Sequence, residues 1–174
     1  VAAAEFILRM FRDMADRWTD DEGDRERLLY WLVGADYDAT EREFTYIGDH
    51  LTALFGEKSV NMSKRVDPGV ITMVLALPPG TAPKEILRIE TKSAKDPRKI
   101  RKDAPHGIIN CEASQLDFTT WERLRGRAAD RRAWMISGGT LESSLGWYPA
   151  LADLWRSGYT DRKSYELPKW ANLT

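Results

Sequence analysis

The clearest chemical signal in the sequence is a short apolar run that ends at an acid. The run begins at Gly107 and leads through Cys111 to Glu112. A buried strand of this kind can hold a carboxylate beside a metal-bound nucleoside triphosphate and the water that attacks it. This is the outline of a Walker B motif, although the usual motif ends in Asp-Glu and Cys111 occupies the place of the first acid. A strand followed by a helix-capping acid is the alternative interpretation.

A second candidate follows the next apolar run, which covers residues 134–137. There the sequence reads Ser137-Gly138-Gly139-Thr140. Glycine lets the backbone approach a phosphate closely, and hydroxyl groups can bind phosphate oxygen or water. An ordinary turn between a strand and a loop would use the same residues.

Two basic runs could also contact phosphate, because arginine forms fork-like hydrogen bonds with it. A solvated surface is the alternative for each. The first run consists of Lys92, Lys95, Arg98, Lys99, Arg101 and Lys102, and the second of Arg123, Arg125, Arg127, Arg131 and Arg132.

Helical and strand patterns alternate along the chain. This alternation predicts a three-layer α/β domain, and two consecutive strands within residues 70–94 predict an antiparallel hairpin in a mainly parallel sheet. Ligands bind at the carboxyl ends of the strands in such sheets. Thr119 and Glu122 have the spacing of a capping box, and Phe44, Ile47, Leu51 and Leu54 are expected on one side of the helix at 39–55. The predicted helices are 1–18, 39–55, 117–129 and 145–156, and the predicted strands are 28–34, 70–77, 86–93, 107–111, 134–137 and 164–170.

Bulk properties narrow the functional classes. A length of 174 residues favours one domain, and a net charge of -1 excludes nucleic-acid binding through overall charge, so any DNA contact requires a local basic patch. The single cysteine excludes an intrachain disulfide. No apolar run approaches the roughly 18 residues that a membrane span needs.

The order of the segments resembles the large subunit of phage terminases, the motors that package DNA into capsids. The similarity runs along nearly the whole chain, and the series of segments is more specific than any one of them. The segments are Tyr30 to Tyr37, Glu41 to Phe44, Lys92 to Ala94, Gly107 to Ala113, Trp121 to Arg125, Asp130 to Arg132, Trp134 to Thr140, Gly146 to Tyr148 and Leu167 to Asn172.

The resemblance implies a RecA-like P-loop ATPase that uses ATP and Mg²⁺. It also implies the partners of such a motor: double-stranded DNA, the portal protein, the terminase small subunit and further copies of the chain in a ring. No membrane partner is expected, and the implied location is the cytoplasm of an infected bacterial host. By position, Glu112 would be the catalytic carboxylate and Arg101 an arginine finger directed at a neighbouring subunit. Ser137, Gly139 and Thr140 would couple the phosphate state to movement. Cys111 would stand at the Mg²⁺-side acid, where a thiol is a poor ligand for a hard cation.

Two parts of the family are absent from the sequence. It has no G-x-x-x-x-G-K-[ST] phosphate-binding loop, whose place would be just before Val1, and no C-terminal nuclease domain. The amphipathic pattern that starts at Phe6 has no capping residue before it, so residues 1–174 are expected to form a partial ATPase domain that is inactive alone. A processed terminus is the alternative for this start. The alternative functions are a related P-loop translocase and a nucleotide-free scaffold that binds DNA or a portal through its arginines.

Overall fold

The computed structural model describes residues 2–18, 27–76, 80–96, 98–100, 103–140 and 146–158. The chain divides into two compact units, Val1–Gly139 and Thr140–Thr174. The described part of the first unit contains helices α1 (Ala2–Trp18), α2 (Glu41–Phe55) and α3 (Phe118–Asp130), together with strands β1 (Leu28–Gly34), β2 (Val60–Met62), β3 (Val70–Leu75), β4 (Lys84–Ser93), β5 (Gly107–Asn110) and β6 (Trp134–Ser137). The described part of the second unit contains α4 (Trp147–Arg156).

The strands form one six-stranded sheet in the order β2-β3-β4-β1-β5-β6. Strands β4, β1, β5 and β6 are parallel, and β2 and β3 are antiparallel additions. The predictions of an α/β fold with a mainly parallel sheet and of an antiparallel hairpin, β3–β4, are therefore confirmed. Strand β2 was not predicted, because three residues are too few to show an alternating pattern.

The four parallel strands end at the same level. Gly34 of β1 lies opposite Ser93 of β4, Val33 lies opposite Asn110 of β5, and Asn110 lies opposite Ser137 of β6. The residues that follow these strands therefore share one margin of the sheet, which we call the carboxyl edge. Ligands bind at this margin in open α/β sheets.

Each face of the sheet is covered by helices, as three layers require. On one face, α1 and α2 pack on the sheet through side chains that recur every three or four residues, including the fully buried Phe6, Phe44 and Ile47. Alternate residues of β1 point the other way, toward the layer that holds α3 and its buried Trp121.

Several details differ from the sequence-based expectations. Helix α3 is capped by Asp117, whose side chain accepts a hydrogen bond from Thr120 N at 2.7 Å, so the capping box predicted at Thr119 and Glu122 is wrong. Leu54 was expected on the inner side of α2 but is 58% exposed. The predicted strand at 164–170 lies outside the described residues. None of the described helices is long and apolar enough to cross a membrane.

Candidate functional site

Glu112 occupies a strained turn directly after β5. Its backbone is left-handed, with φ 47° and ψ 58°, a conformation that costs a residue with a side chain about 1–3 kcal/mol. Three hydrogen bonds fix the turn: Cys111 N donates to Val33 O at 2.8 Å, Ala113 N to Gly138 O at 2.7 Å, and Gln115 N to Glu112 O at 2.9 Å. The Glu112 side chain is exposed. The fold therefore presents this carboxylate at the carboxyl edge on a backbone that its neighbours hold in place.

The end of β6 packs tightly on the same turn. Gly138 N donates to Asn110 O at 3.0 Å, and the Asn110 amide donates to Ser137 Oγ at 3.0 Å. A Cβ atom placed on Gly139 would lie 2.9 Å from Ala113 N, a backbone atom that cannot easily move. Because residue 139 is a glycine, its backbone can lie close to the turn that carries Glu112. The structure thus places Glu112, Ser137 and Gly139 close together at the carboxyl edge.

The amino end of α1 lies beside these residues. The nearest atom to a Cβ placed on Gly138 is Ala2 Cβ, at 4.0 Å. The carboxyl edge therefore brings the exposed carboxylate of Glu112 and the first described residues of α1 to the same margin of the sheet.

Cys111 points away from this edge into the core. It is 2% exposed and belongs to the cluster of side chains packed under α1 and α2. Burial raises the pKa of the Cys111 thiol well above its ordinary value, and the charges of Glu43 and Glu112 raise it further. The thiol is therefore protonated and packs as a small apolar group. Within the described ranges, no group of three or more His, Cys, Asp or Glu side chains could hold a metal ion.

Two polar residues near the turn were not singled out from the sequence. Asn110 is fully buried, and its Oδ1 atom has no hydrogen-bond partner among the described residues. Glu43, in the first turn of α2, lies close enough for its charge to raise the Cys111 pKa. The signal for Asn110 was a polar residue at the end of an apolar run. Glu43 gave no such signal, because its proximity depends on how α2 packs.

The first basic run is divided among different roles. Lys92 is 8% exposed; its Nζ pairs with Glu90 at 2.6 Å and lies 5.1 Å from the Trp31 ring centroid. Burial opposes ionisation of Glu90, but hydrogen bonds from Lys92 and Arg88 lower its pKa overall. Lys92 is therefore part of the sheet's own ion pairing.

The loop after β4 is joined to the turn after β1. Lys95 Nζ lies 3.1 Å from Asp36 Oδ2, and Lys99 Nζ lies 3.0 Å from the Tyr37 hydroxyl. Both contacts are at the carboxyl edge. Arg101, the predicted arginine finger, lies outside the described residues, as does Lys102. Thr140 is exposed and is the first residue of the second unit.

Comparison with known proteins gives a result from structure alone. No protein-family model matches the sequence, and no curated protein matches it. The ATPase domain of the large terminase of Thermus phage P74-26 matches with a TM-score of 0.59 and 18% identity, over 83% of this chain and 57% of that one. An arginine-to-alanine variant of that domain matches with a TM-score of 0.62 and 17% identity, over 84% and 66%.

A third similar structure is a large terminase from a thermophilic bacteriophage in complex with ADP. Its TM-score is 0.45 at 13% identity, over 64% of this chain and 26% of that one. The chain thus spans between about half and two thirds of the two Thermus phage domains. The described fold is that of the ATPase domain of phage large terminases.

Proposed function

We propose that this chain forms part of the ATP-hydrolysing motor of a viral terminase large subunit that packages double-stranded DNA into procapsids. The observation that supports this most strongly is the strained turn at Glu112, which is hydrogen-bonded to the end of β6. An exposed carboxylate that is held rigidly at the carboxyl edge of a parallel sheet suits attack of water on a phosphate.

In this proposal, Glu112 orients or deprotonates the attacking water. The left-handed backbone and its hydrogen bonds fix the carboxylate before substrate arrives, which reduces the reorganisation needed during the reaction. Ser137 would contact phosphate oxygen or water from the neighbouring strand, and Gly139 would transmit the change at the turn to the end of β6.

The described residues do not fit a Mg²⁺ site at Cys111. A buried, protonated thiol offers no charge and no hard oxygen donor to the ion. We therefore assign no step of the reaction to a metal held by this residue. The ATP phosphates and water would have to supply oxygen ligands for any Mg²⁺ that accompanies the nucleotide.

The decisive experiment measures ATP hydrolysis and ATP binding by the full-length gene product and its Glu112→Gln variant. Glutamine keeps the shape of the side chain and removes its charge, so binding should survive. Hydrolysis should fall by about 10²–10⁴-fold, the usual contribution of a positioned general base. Near wild-type hydrolysis by the variant would contradict the assignment. The same assay on the 174-residue chain should show no micromolar affinity for Mg-ATP, since the sequence lacks a G-x-x-x-x-G-K-[ST] loop.

The second candidate function is a nucleotide-free module that binds DNA or a portal protein. The burial of Cys111 favours it, because the acid expected on the metal side of a Walker B strand is missing. A full-length gene product that binds duplex DNA but neither binds nor hydrolyses ATP would establish this alternative. The first proposal also includes four properties of such a motor. They are ring formation, binding of the portal protein, binding of the small subunit, and action in the cytoplasm of an infected host.

A further inference from the structure

Asn110 places an amide inside the sheet, at the end of a strand that is otherwise apolar. The three residues before it in β5 are Gly107, Ile108 and Ile109. Asn110 is fully buried, and its Nδ2 atom donates to Ser137 Oγ at 3.0 Å. Its Oδ1 atom is also buried, and no described residue provides a hydrogen bond to it. The amide therefore has a hydrogen bond at one end only, and that bond is made to the last residue of β6.

This arrangement is unfavourable for stability. A buried polar group without a partner costs more free energy than a typical hydrogen bond between protein groups contributes. An apolar side chain at position 110 would avoid that cost, because the pairing with Val33 and Ser137 is made by the backbone. Ser137 is half-buried, so water could replace the amide as a donor to its hydroxyl oxygen. Stability thus gives no reason for an asparagine here, and such exceptions are expected at functional sites.

The direction of the hydrogen bond provides a functional reason. Because the Asn110 amide donates, the Ser137 oxygen accepts, and the hydroxyl proton is directed at an acceptor other than Asn110. An ionised phosphate group offers acceptors only. The buried amide therefore holds the Ser137 hydroxyl in the polarity that a phosphate oxygen requires. The backbone beyond Ser137 is held by the same residue, since Gly138 N donates to Asn110 O at 3.0 Å.

We propose that Asn110 is a positioning residue for Ser137. In this role it fixes the Ser137 hydroxyl as a hydrogen-bond donor to the phosphate oxygen that changes charge during hydrolysis. Asn110 is fully buried and reaches no substrate, so it acts only through Ser137. The inference rests on the proposed function, in which Ser137 contacts phosphate oxygen or water.

The test replaces the amide by apolar side chains in the full-length gene product, as Asn110→Leu and Asn110→Val. Steady-state ATP hydrolysis and urea unfolding are measured for each. The kcat should fall by about 10- to 100-fold, as for a misplaced catalytic contact, while KM for ATP should stay within about two-fold. The urea midpoint should equal or exceed that of the wild type, because the unsatisfied oxygen is removed. Valine is smaller than leucine and suits a strand, so a loss of kcat in both variants is not due to overpacking.

The matched control is Thr91→Val, which removes a buried hydroxyl whose hydrogen bonds are satisfied. Thr91 Oγ1 accepts from Gly69 N at 2.5 Å and donates to Val66 O at 2.7 Å. This variant should lower the urea midpoint and leave kcat per folded molecule at the wild-type value. If both apolar variants of Asn110 lower the midpoint as much as Thr91→Val does, Asn110 is structural and the proposal is overturned.

A double-mutant cycle tests whether Asn110 acts through Ser137. The kcat values of Asn110→Leu, Ser137→Ala and the double variant are compared with that of the wild type. In the Ser137→Ala background, Asn110→Leu should cause almost no further loss, because the hydroxyl that it positions is already absent. Full additivity of the two losses would overturn the proposal, and so would a wild-type kcat for Ser137→Ala.

The outcome can be separated from that of the ATPase proposal. If Glu112→Gln abolishes hydrolysis while both apolar variants of Asn110 keep the wild-type kcat, the role of Asn110 is rejected and the ATPase proposal stands. If the wild-type gene product hydrolyses no ATP, both are rejected.

Discussion

The two ends of the paired strands β5 and β6 differ in the contacts that add to their backbone pairing. At the amino end these contacts are between side chains or leave no room for one: the Trp134 ring covers Gly107, and Asp13 of α1 accepts hydrogen bonds from Tyr30 of β1 at 2.8 Å and from Trp134 of β6 at 2.9 Å. At the carboxyl end the contacts are mostly between backbone atoms. This difference indicates that the amino end provides stability and that the carboxyl end fixes the position of polar groups.

If the two ends differ in this way, Glu112→Gln should have the largest effect of any single change, and it should affect activity only. Hydrolysis by the full-length gene product should fall by about 10²–10⁴-fold. Thermal unfolding should be nearly unchanged, because the exposed side chain has no described partner whose bond would be lost. A large drop in the unfolding temperature would show that the carboxylate is structural and would remove the contrast between the ends.

Asp13→Ala should affect stability without affecting chemistry. It removes the acceptor of the hydrogen bonds from the Tyr30 hydroxyl and the Trp134 indole N–H, and the loss of each hydrogen bond costs about 0.5–1.5 kcal/mol. Urea unfolding should report this loss, while hydrolysis per folded molecule should stay at the wild-type rate. A loss of hydrolysis without destabilisation would show that the amino end takes part in the reaction.

Neighbouring glycines allow a sharper test of the carboxyl end. Gly139→Ala would force a methyl group to within 2.9 Å of Ala113 N, whereas at Gly138 the nearest atom is 4.0 Å away. We expect Gly139→Ala to cost about 1–3 kcal/mol of unfolding free energy and to lower hydrolysis, and Gly138→Ala to do much less of both. Equal effects of the two substitutions in urea titrations would contradict the contact described at Gly139.

The smallest expected effect is that of Cys111→Ala. Loss of a buried sulfur should cost about 1 kcal/mol or somewhat more, and hydrolysis should stay close to the wild-type rate because a protonated thiol contributes little to Mg²⁺. A larger loss of activity than that of Glu112→Gln would show that the register of the motif is wrong.

The same variant gives a test by pH. Burial raises the pKa of Cys111 in the folded protein, so above pH 9.0, its ordinary value, the unfolded chain loses this proton first. Wild-type stability should therefore fall by up to about 1.4 kcal/mol per pH unit more than that of Cys111→Ala. Urea titrations of both proteins at pH 8 and pH 10 would measure the difference, and parallel behaviour would indicate an accessible thiol.

The parts of the fold that follow from local pattern were predicted well. The continuous apolar run of β1 indicated a strand buried on both faces, and all seven of its residues are buried. The turn at Glu112 was found because a strand ended in an acid. By contrast, Leu54 has the spacing of an inner residue but is 58% exposed, whereas the neighbouring Phe55 packs on the core. Asp117 was missed because Thr119 and Glu122 fit the capping pattern equally well. Glu43 lies near Cys111, and Gly139 packs on the Glu112 turn, because segments that are distant in the sequence meet in the fold. A local sequence pattern does not reveal such contacts.

The contact at Gly139 also has a mechanical consequence. Gly139 is the last residue of the first unit, and the peptide bond that follows it leads directly into the second. The Glu112 turn is hydrogen-bonded to Gly138 and leaves no room for a side chain at Gly139. If Glu112 acts as proposed, a shift of its backbone would reach the point where the chain leaves the sheet through one hydrogen bond, with no side chain between them to absorb the motion.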